Sequence, residues 1–141
     1  MEEDSEGFNY PCVDKRKCVD CTLCEKVCPI INKDKVAQGS NDEDNTYVAY
    51  TKNATVRKNS SSGGMFTEVA ERVLKNNGVV FGCAFDDDFN AHHIMVNNSS
   101  DLEKLRGSKY IQSHIENTYE EAERLLKNGQ LVLFSGVACH I

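Results

Sequence analysis

Four cysteines, Cys18, Cys21, Cys24 and Cys28, stand within eleven residues as Cys-x-x-Cys-x-x-Cys-x-x-x-Cys, with Pro29 directly after the last. Gaps of two residues let a tight loop turn successive thiolates toward neighbouring corners of a 4Fe-4S cube. Backbone N–H groups left over in such a loop offset the cluster's negative charge. The chemistry of this spacing is single-electron transfer. In two-cluster ferredoxins the fourth cysteine of the run serves the other cluster, and this chain has no second run. The fourth thiolate therefore has three open sources: Cys28 folding back, Cys12 six residues upstream, or a segment from elsewhere. A zinc site also takes four thiolates, but usually as two Cys-x-x-Cys knuckles well separated in sequence. The spacing favours iron and sulfide over zinc.

A second chemical element is Ser60-Ser61-Ser62-Gly63-Gly64, which runs into a helical pattern starting near Met65. Hydroxyls, small residues and unpaired helix N–H groups coincide there at a positive dipole end, where the phosphate of a nucleotide cofactor fits. A Ser/Gly stretch before a helix is more often a plain capped loop. Near the C-terminus, Leu131 to Phe134 leads into Ser135-Gly136-Val137-Ala138-Cys139-His140. Strand ends that turn through glycine are where α/β proteins tend to hold ligands, which makes Gly136 and Cys139 candidates. Adjacent Cys139 and His140 make a poor nucleophile pair, since such partners usually join distant positions.

Other reactive side chains read as structural. Cys83 lies among Val80 and Phe81, where a free cysteine packs as a small hydrophobe. His92 and His93 are consecutive in a strand pattern and point to opposite faces, so they do not share one metal; His114 reads as solvated. Glu120, Glu121 and Glu123, with Arg124 and Lys127, form the polar side of an amphipathic helix.

The elements that must position these residues follow from periodicity. Tyr47–Tyr50 suits a strand, and Phe66, Val69, Ala70, Val73 and Leu74 recur at the spacing of one buried helix face. Gly78 closes that helix, and Val79–Ala84 reads as a buried, central strand. His93–Val96 follows as another strand after the acidic turn at Asp86. Thr118 serves as an N-cap, with Glu121 three residues on, for a helix carrying Ala122, Leu125 and Leu126 to Gly129. The strand Leu131–Phe134 comes next. Strands alternating with helices predict an α/β (or α+β) domain with a mostly parallel sheet and flanking helices.

The bulk numbers fit one such domain with a small appended module. The chain has 141 residues, 40% hydrophobic and 27% charged, with a net charge of −6. That charge and a pI near 5.2 argue against nucleic acid, whose phosphates need clustered Lys and Arg. Seven cysteines is an odd number, four of them clustered, so ligation outranks a disulfide framework. The acidic start, Met1-Glu2-Glu3-Asp4, and the lack of a long apolar run predict a soluble, cytoplasmic protein with no membrane contact. Residues 1–37 are expected to form a small ferredoxin-like 4Fe-4S module, 38–46 a polar linker, and 47–141 the α/β domain.

Taken in order, Glu6-Gly7-Phe8 with Tyr10-Pro11, the cysteine run, Ser61-Ser62-Gly63-Gly64, Gly107-Ser108-Lys109-Tyr110 and Phe134-Ser135-Gly136-x-x-Cys139 resemble the coenzyme F-420 hydrogenase/dehydrogenase beta-subunit family. The resemblance implies an iron-sulfur flavoprotein that binds FAD and relays electrons between clusters and a two-electron carrier, a flavin or deazaflavin. It also implies that Ser61 to Gly64 and Gly136 to Cys139 lie around the flavin, with Gly107-Ser108-Lys109-Tyr110 helping to close the pocket. Where relatives carry Thr-Pro-Cys-Gln, this chain has Val137-Ala138-Cys139-His140. It stops where the resemblance implies a further helix and a large C-terminal domain, so it reads as truncated, an N-terminal portion. The partners this implies are a redox protein or that missing domain. The reading from another class is a non-enzymatic ferredoxin-like electron-transfer or docking module, with a zinc-stabilised interaction domain behind it.

Overall fold

The computed structural model describes residues 2–36 and 46–137. The chain divides into two compact units, Met1–Thr46 and Tyr47–Ile141.

The first unit opens with a two-stranded antiparallel ribbon, β1 (Glu2–Glu3) and β2 (Asn9–Tyr10). Asp4 Oδ1 accepts the amides of Glu6 and Phe8, each at 2.9 Å, and Gly7 takes the left-handed corner at φ +87°. The cysteine run follows and carries the short helix α1 (Leu23–Val27), with α2 (Lys33–Val36) after it. The side-chain amide of Asn32 donates to the carbonyls of Glu25 (2.7 Å) and Cys28 (3.0 Å) and so closes the end of α1. No described residue of this unit is buried, and Val19, Val27, Ile30 and Ile31 are exposed. Local hydrogen bonds, rather than an apolar core, hold these residues.

The second unit contains the core. Helix α3 (Ala54–Lys58) is capped by Asn53, whose Oδ1 accepts the amides of Thr55 and Val56. Helix α4 (Met65–Lys75) leads through Gly78 into β3 (Val79–Phe85), and a tight turn returns the chain as β4 (Ala91–Val96). A 3-10 turn at Asp101–Leu105, helix α5 (Thr118–Lys127) and β5 (Val132–Phe134) complete it. The sheet order is β4-β3-β5, which makes β3 central as its apolar run predicts. Alternation along β3 builds two cores. Val80 and Ala84 pack with Ala70 of α4 and with Leu102 and Leu105, while Val79 and Phe81 pack with Ala122 of α5.

Several expectations need correction. The fold is mixed α/β, but its larger sheet is half parallel rather than mostly so: β3 pairs antiparallel with β4 and parallel with β5. The turn from Asp86 to Asn90 is too short for the crossover that parallel strands require. Tyr47–Tyr50 is not a strand; these residues are exposed coil, with Arg57 over the Tyr50 ring at 4.4 Å. Val69 and Leu126 face solvent, at 47% and 57% exposure. Thr67 is buried in α4, at 1% exposure, with Arg106 Nε donating to its hydroxyl at 3.2 Å. The cap position of α5 is Asn117, and Thr118 instead turns its hydroxyl back to the Ile115 carbonyl at 2.7 Å. Among the described residues no helix is long and apolar enough to cross a membrane.

Candidate functional site

The site originates in a mismatch of strand lengths, since β3 runs seven residues and β5 only three. Their register ends at Phe81 opposite Phe134, where the Ser135 amide donates to the Phe81 carbonyl at 2.9 Å. The next rung of a parallel ladder would join the Cys83 amide to the Ser135 carbonyl. That carbonyl instead accepts from His93 Nε2 at 3.0 Å. The chain after β5 therefore peels away from β3 and leaves a cavity of about 320 Å³ beyond the carboxyl ends of the parallel pair. This is the position where open α/β sheets hold ligands.

Cys83, His93, Ser113, Ser135 and Gly136 line the sheet side of the cavity, and Ser61, Phe66, Gly107, Ser108 and Lys109 line the loop side. The two loops meet through Ser108 Oγ and Ser61 Oγ at 3.4 Å. Lys109 Nζ donates to the carbonyls of Arg106 (2.8 Å) and Lys104 (3.1 Å). Partial burial pushes the Lys109 ammonium below the usual lysine range, with the nearby Cys83 pulling the other way.

A second hollow of about 200 Å³ shares Ser61, Phe66 and Gly107 with the first and adds Ser62, Gly63, Gly64 and Arg106. It lies at the N-terminus of α4, whose cap residue Gly64 sits at φ +81° and supplies no side-chain bond to the first amides. Gly63 is pinned from behind: its carbonyl accepts the Thr51 amide at 2.7 Å, and a Cβ there would meet the Ala49 carbonyl oxygen at 2.5 Å. Thr51 in turn donates its hydroxyl to Glu68 in the first turns of α4. The glycines thus let the Ser/Gly loop lie directly on residues 49–51.

Among the expected cofactor residues, Ser61 and Gly136 line the same cavity, and Ser61, Ser62, Gly63 and Gly64 line the adjoining hollow. Cys139 lies outside the described residues. Of the Gly107-Ser108-Lys109-Tyr110 stretch, the first three face the cavity, while Tyr110 is 93% exposed.

Cys18, Cys21 and Cys24 are exposed and Cys28 is half-buried, none of them in a disulfide. Asp20 and Thr22, between the first three, adopt left-handed backbone at φ 50° and 57°, which bends the segment sharply after each of the first two thiols. The Cys18 sulfur accepts the Asp20 amide at 3.4 Å. As a donor set, four thiols on one bent and accessible segment suit iron or zinc. As an arrangement they do not yet form a shell, because among the described residues no three His, Cys, Asp or Glu side chains are gathered to hold a metal ion. The Glu2 carboxylate, hydrogen-bonded to Cys12, holds that thiol above its usual range.

Sequence reasoning missed His93, Ser113, Cys83 and Arg106 as site residues. Cys83 is half-buried on the cavity wall rather than in the core. The run of apolar residues in β3 being longer than that before Ser135 was the available signal, because it leaves Cys83 without a strand partner on that side.

Residues 46–119 match the family described as coenzyme F-420 hydrogenase/dehydrogenase, beta subunit, N-terminal. No curated protein matches the chain. The match spans α3, α4, β3, β4 and the loop side of the cavity, and it makes this an oxidoreductase-related protein. Since that stretch is more than half of its 141 residues, the chain belongs to the coenzyme F-420 hydrogenase/dehydrogenase beta-subunit family.

Proposed function

We propose that the chain is part of an iron-sulfur flavoprotein oxidoreductase, in which electrons pass between a 4Fe-4S cluster held by Cys18, Cys21, Cys24 and Cys28 and a flavin or deazaflavin held by the second unit. The observation that carries the flavin half is convergence. Ser61 to Gly64, Gly107 to Lys109 and Gly136, from three distant parts of the chain, line two adjoining hollows beyond the end of a parallel strand pair. The amides opening α4, with Arg106 beside them, suit the phosphates of FAD. Phe66 and Leu105 give the larger cavity apolar walls for a ring, and the Ser61 hydroxyl gives it a polar contact.

The cluster half rests on the donor set and on the first unit's lack of a core. A module of this size with no described residue buried lacks the apolar burial that sustains an independent fold, and metals commonly supply the deficit in such modules. When bound, the cluster supplies single electrons and the flavin couples them to two-electron chemistry. A separate redox protein, or a further domain, is the partner this reading requires.

The second reading is a ferredoxin-like electron-transfer or docking module without flavin. One observation favours it: about 320 Å³ is close to the lower limit of small-molecule sites.

The deciding experiment is anaerobic purification, with ultraviolet-visible spectra before and after dithionite and assays for iron, sulfide and flavin on the same sample. A broad band near roughly 400 nm that bleaches, with about four irons per chain and bound flavin, supports the oxidoreductase. Cluster without flavin supports the docking module. A colourless zinc protein sinks both.

A further inference from the structure

Two buried side chains of the cavity wall have no part in the reading above, and their hydrogen bonds give them one. We propose that the Ser113 hydroxyl reads the polar edge of the ligand, and that protonation of His93 decides whether that hydroxyl accepts or donates. The ligand class rests on the flavin reading, while the switch itself does not.

His93 and Ser113 are 3% and 8% exposed, and both line the larger cavity. His93 Nε2 lies 3.0 Å from the Ser135 carbonyl, which only accepts, so the proton of the neutral ring sits on Nε2. Nδ1, 2.8 Å from Ser113 Oγ, must then accept, which takes the hydroxyl's single proton. Toward the cavity Ser113 is left with lone pairs and reads an N–H or O–H. When the ring gains a second proton, Nδ1 donates to Oγ instead, and the hydroxyl proton turns to the cavity to read a carbonyl or ring nitrogen. One proton is taken up and no covalent bond between heavy atoms changes.

The ring is held against swapping its nitrogens, because it stacks on Phe134 with centroids 5.5 Å apart and planes 11° from parallel. Among the described residues, the titratable groups near it include Cys83, directly across in β3, Lys109 on the same cavity, and His114, whose carbonyl accepts the His93 amide at 2.8 Å. The ring meets Phe134 of β5 and the Ser135 carbonyl just beyond it, and α5 presents Tyr119 on Phe134. His92 and Glu116, 3.9 Å apart, belong to the other face of β4. Imidazole is the side chain that ordinarily exchanges its proton between about pH 5 and 8.

An oxidised flavin ring carries several acceptor atoms and one N–H along its polar edge, so it binds better when Ser113 donates. Riboflavin, which has no phosphate to titrate, is the probe. Its affinity for the full chain, followed by fluorescence, is expected to be roughly five-fold tighter at pH 5.5 than at pH 8, the worth of about one hydrogen bond. Ser113→Ala flattens that dependence and Ser113→Thr keeps it. Nitrogen-15 spectra of His93 test the switch without ligand: the wild type and Ser113→Thr should carry the proton on Nε2 at pH 8 and titrate on both nitrogens, whereas Ser113→Ala should shift the titration. A ring protonated on Nδ1 at pH 8, or a titration indifferent to Ser113→Ala, overturns the switch. Normal nitrogen spectra with no riboflavin bound at either pH leave the switch standing and sink the flavin reading instead.

Discussion

Gly63 shows why a single residue of the Ser/Gly loop is irreplaceable. Its absent side chain would occupy space 2.5 Å from the Ala49 carbonyl oxygen and 3.1 Å from Tyr50 Cα, both backbone atoms, so the chain itself would have to shift. Gly63→Ala is therefore expected to cost about 1–3 kcal/mol of unfolding free energy, as overpacking does. The measurement is denaturant unfolding followed by circular dichroism. A variant as stable as the parent would mean that the loop does not lie on residues 49–51. Ser61, Gly63 and Gly136 were legible because each stands where a helix or strand visibly begins or ends. His93 and Ser113 were not: they lie 20 residues apart, His93 reaches Ser135 across 42, and no local pattern marks a hydrogen bond made across a fold.

Among elements, the β3–β4 hairpin depends on Asp86. Its Oδ1 accepts the amides of Asp88 (3.0 Å) and Asn90 (2.8 Å), and its Oδ2 accepts the Asn90 side chain at 3.1 Å. The Asn90 side-chain bond, then its backbone bond, hold the Asp86 carboxyl below the usual aspartate range. A depressed carboxyl stabilises the fold above its unfolded value, about pH 3.9, and loses that contribution as pH falls through the folded value. Thermal unfolding should thus show a lower midpoint for Asp86→Ala at pH 7 and a shallower decline than the parent below about pH 4. Parallel curves for the two proteins would remove Asp86 from the account. Helix α4 and strand β3 were readable from their periodicity because their inward faces meet continuous apolar neighbours. Tyr47–Tyr50 misled because four apolar or aromatic residues form a strand only when a sheet edge is there to pair with them. The direction of the β3–β4 pair was written in the shortness of its turn, not in the strands.

For the whole molecule, the buried residues among those described fall entirely in the second unit, so its stability should not depend on the cysteine run. Replacing Cys18, Cys21, Cys24 and Cys28 together by serine should abolish iron uptake and leave the main cooperative unfolding transition within about 0.5 kcal/mol of the parent. Calorimetry with iron analysis on the same samples decides this, and a large fall in that transition would show the two units to be energetically joined. The early end of β5 has one more consequence, visible in deuterium exchange. The amide of Val79 is tied to the Leu131 carbonyl at 2.9 Å, but β5 offers none to Cys83, because the Ser135 carbonyl is engaged by His93. Exchange along β3 should therefore run slow at Val79 and fast at Cys83. Whatever fills the cavity would then register as a delay at that one backbone position, a label-free clock for occupancy that needs neither colour nor turnover.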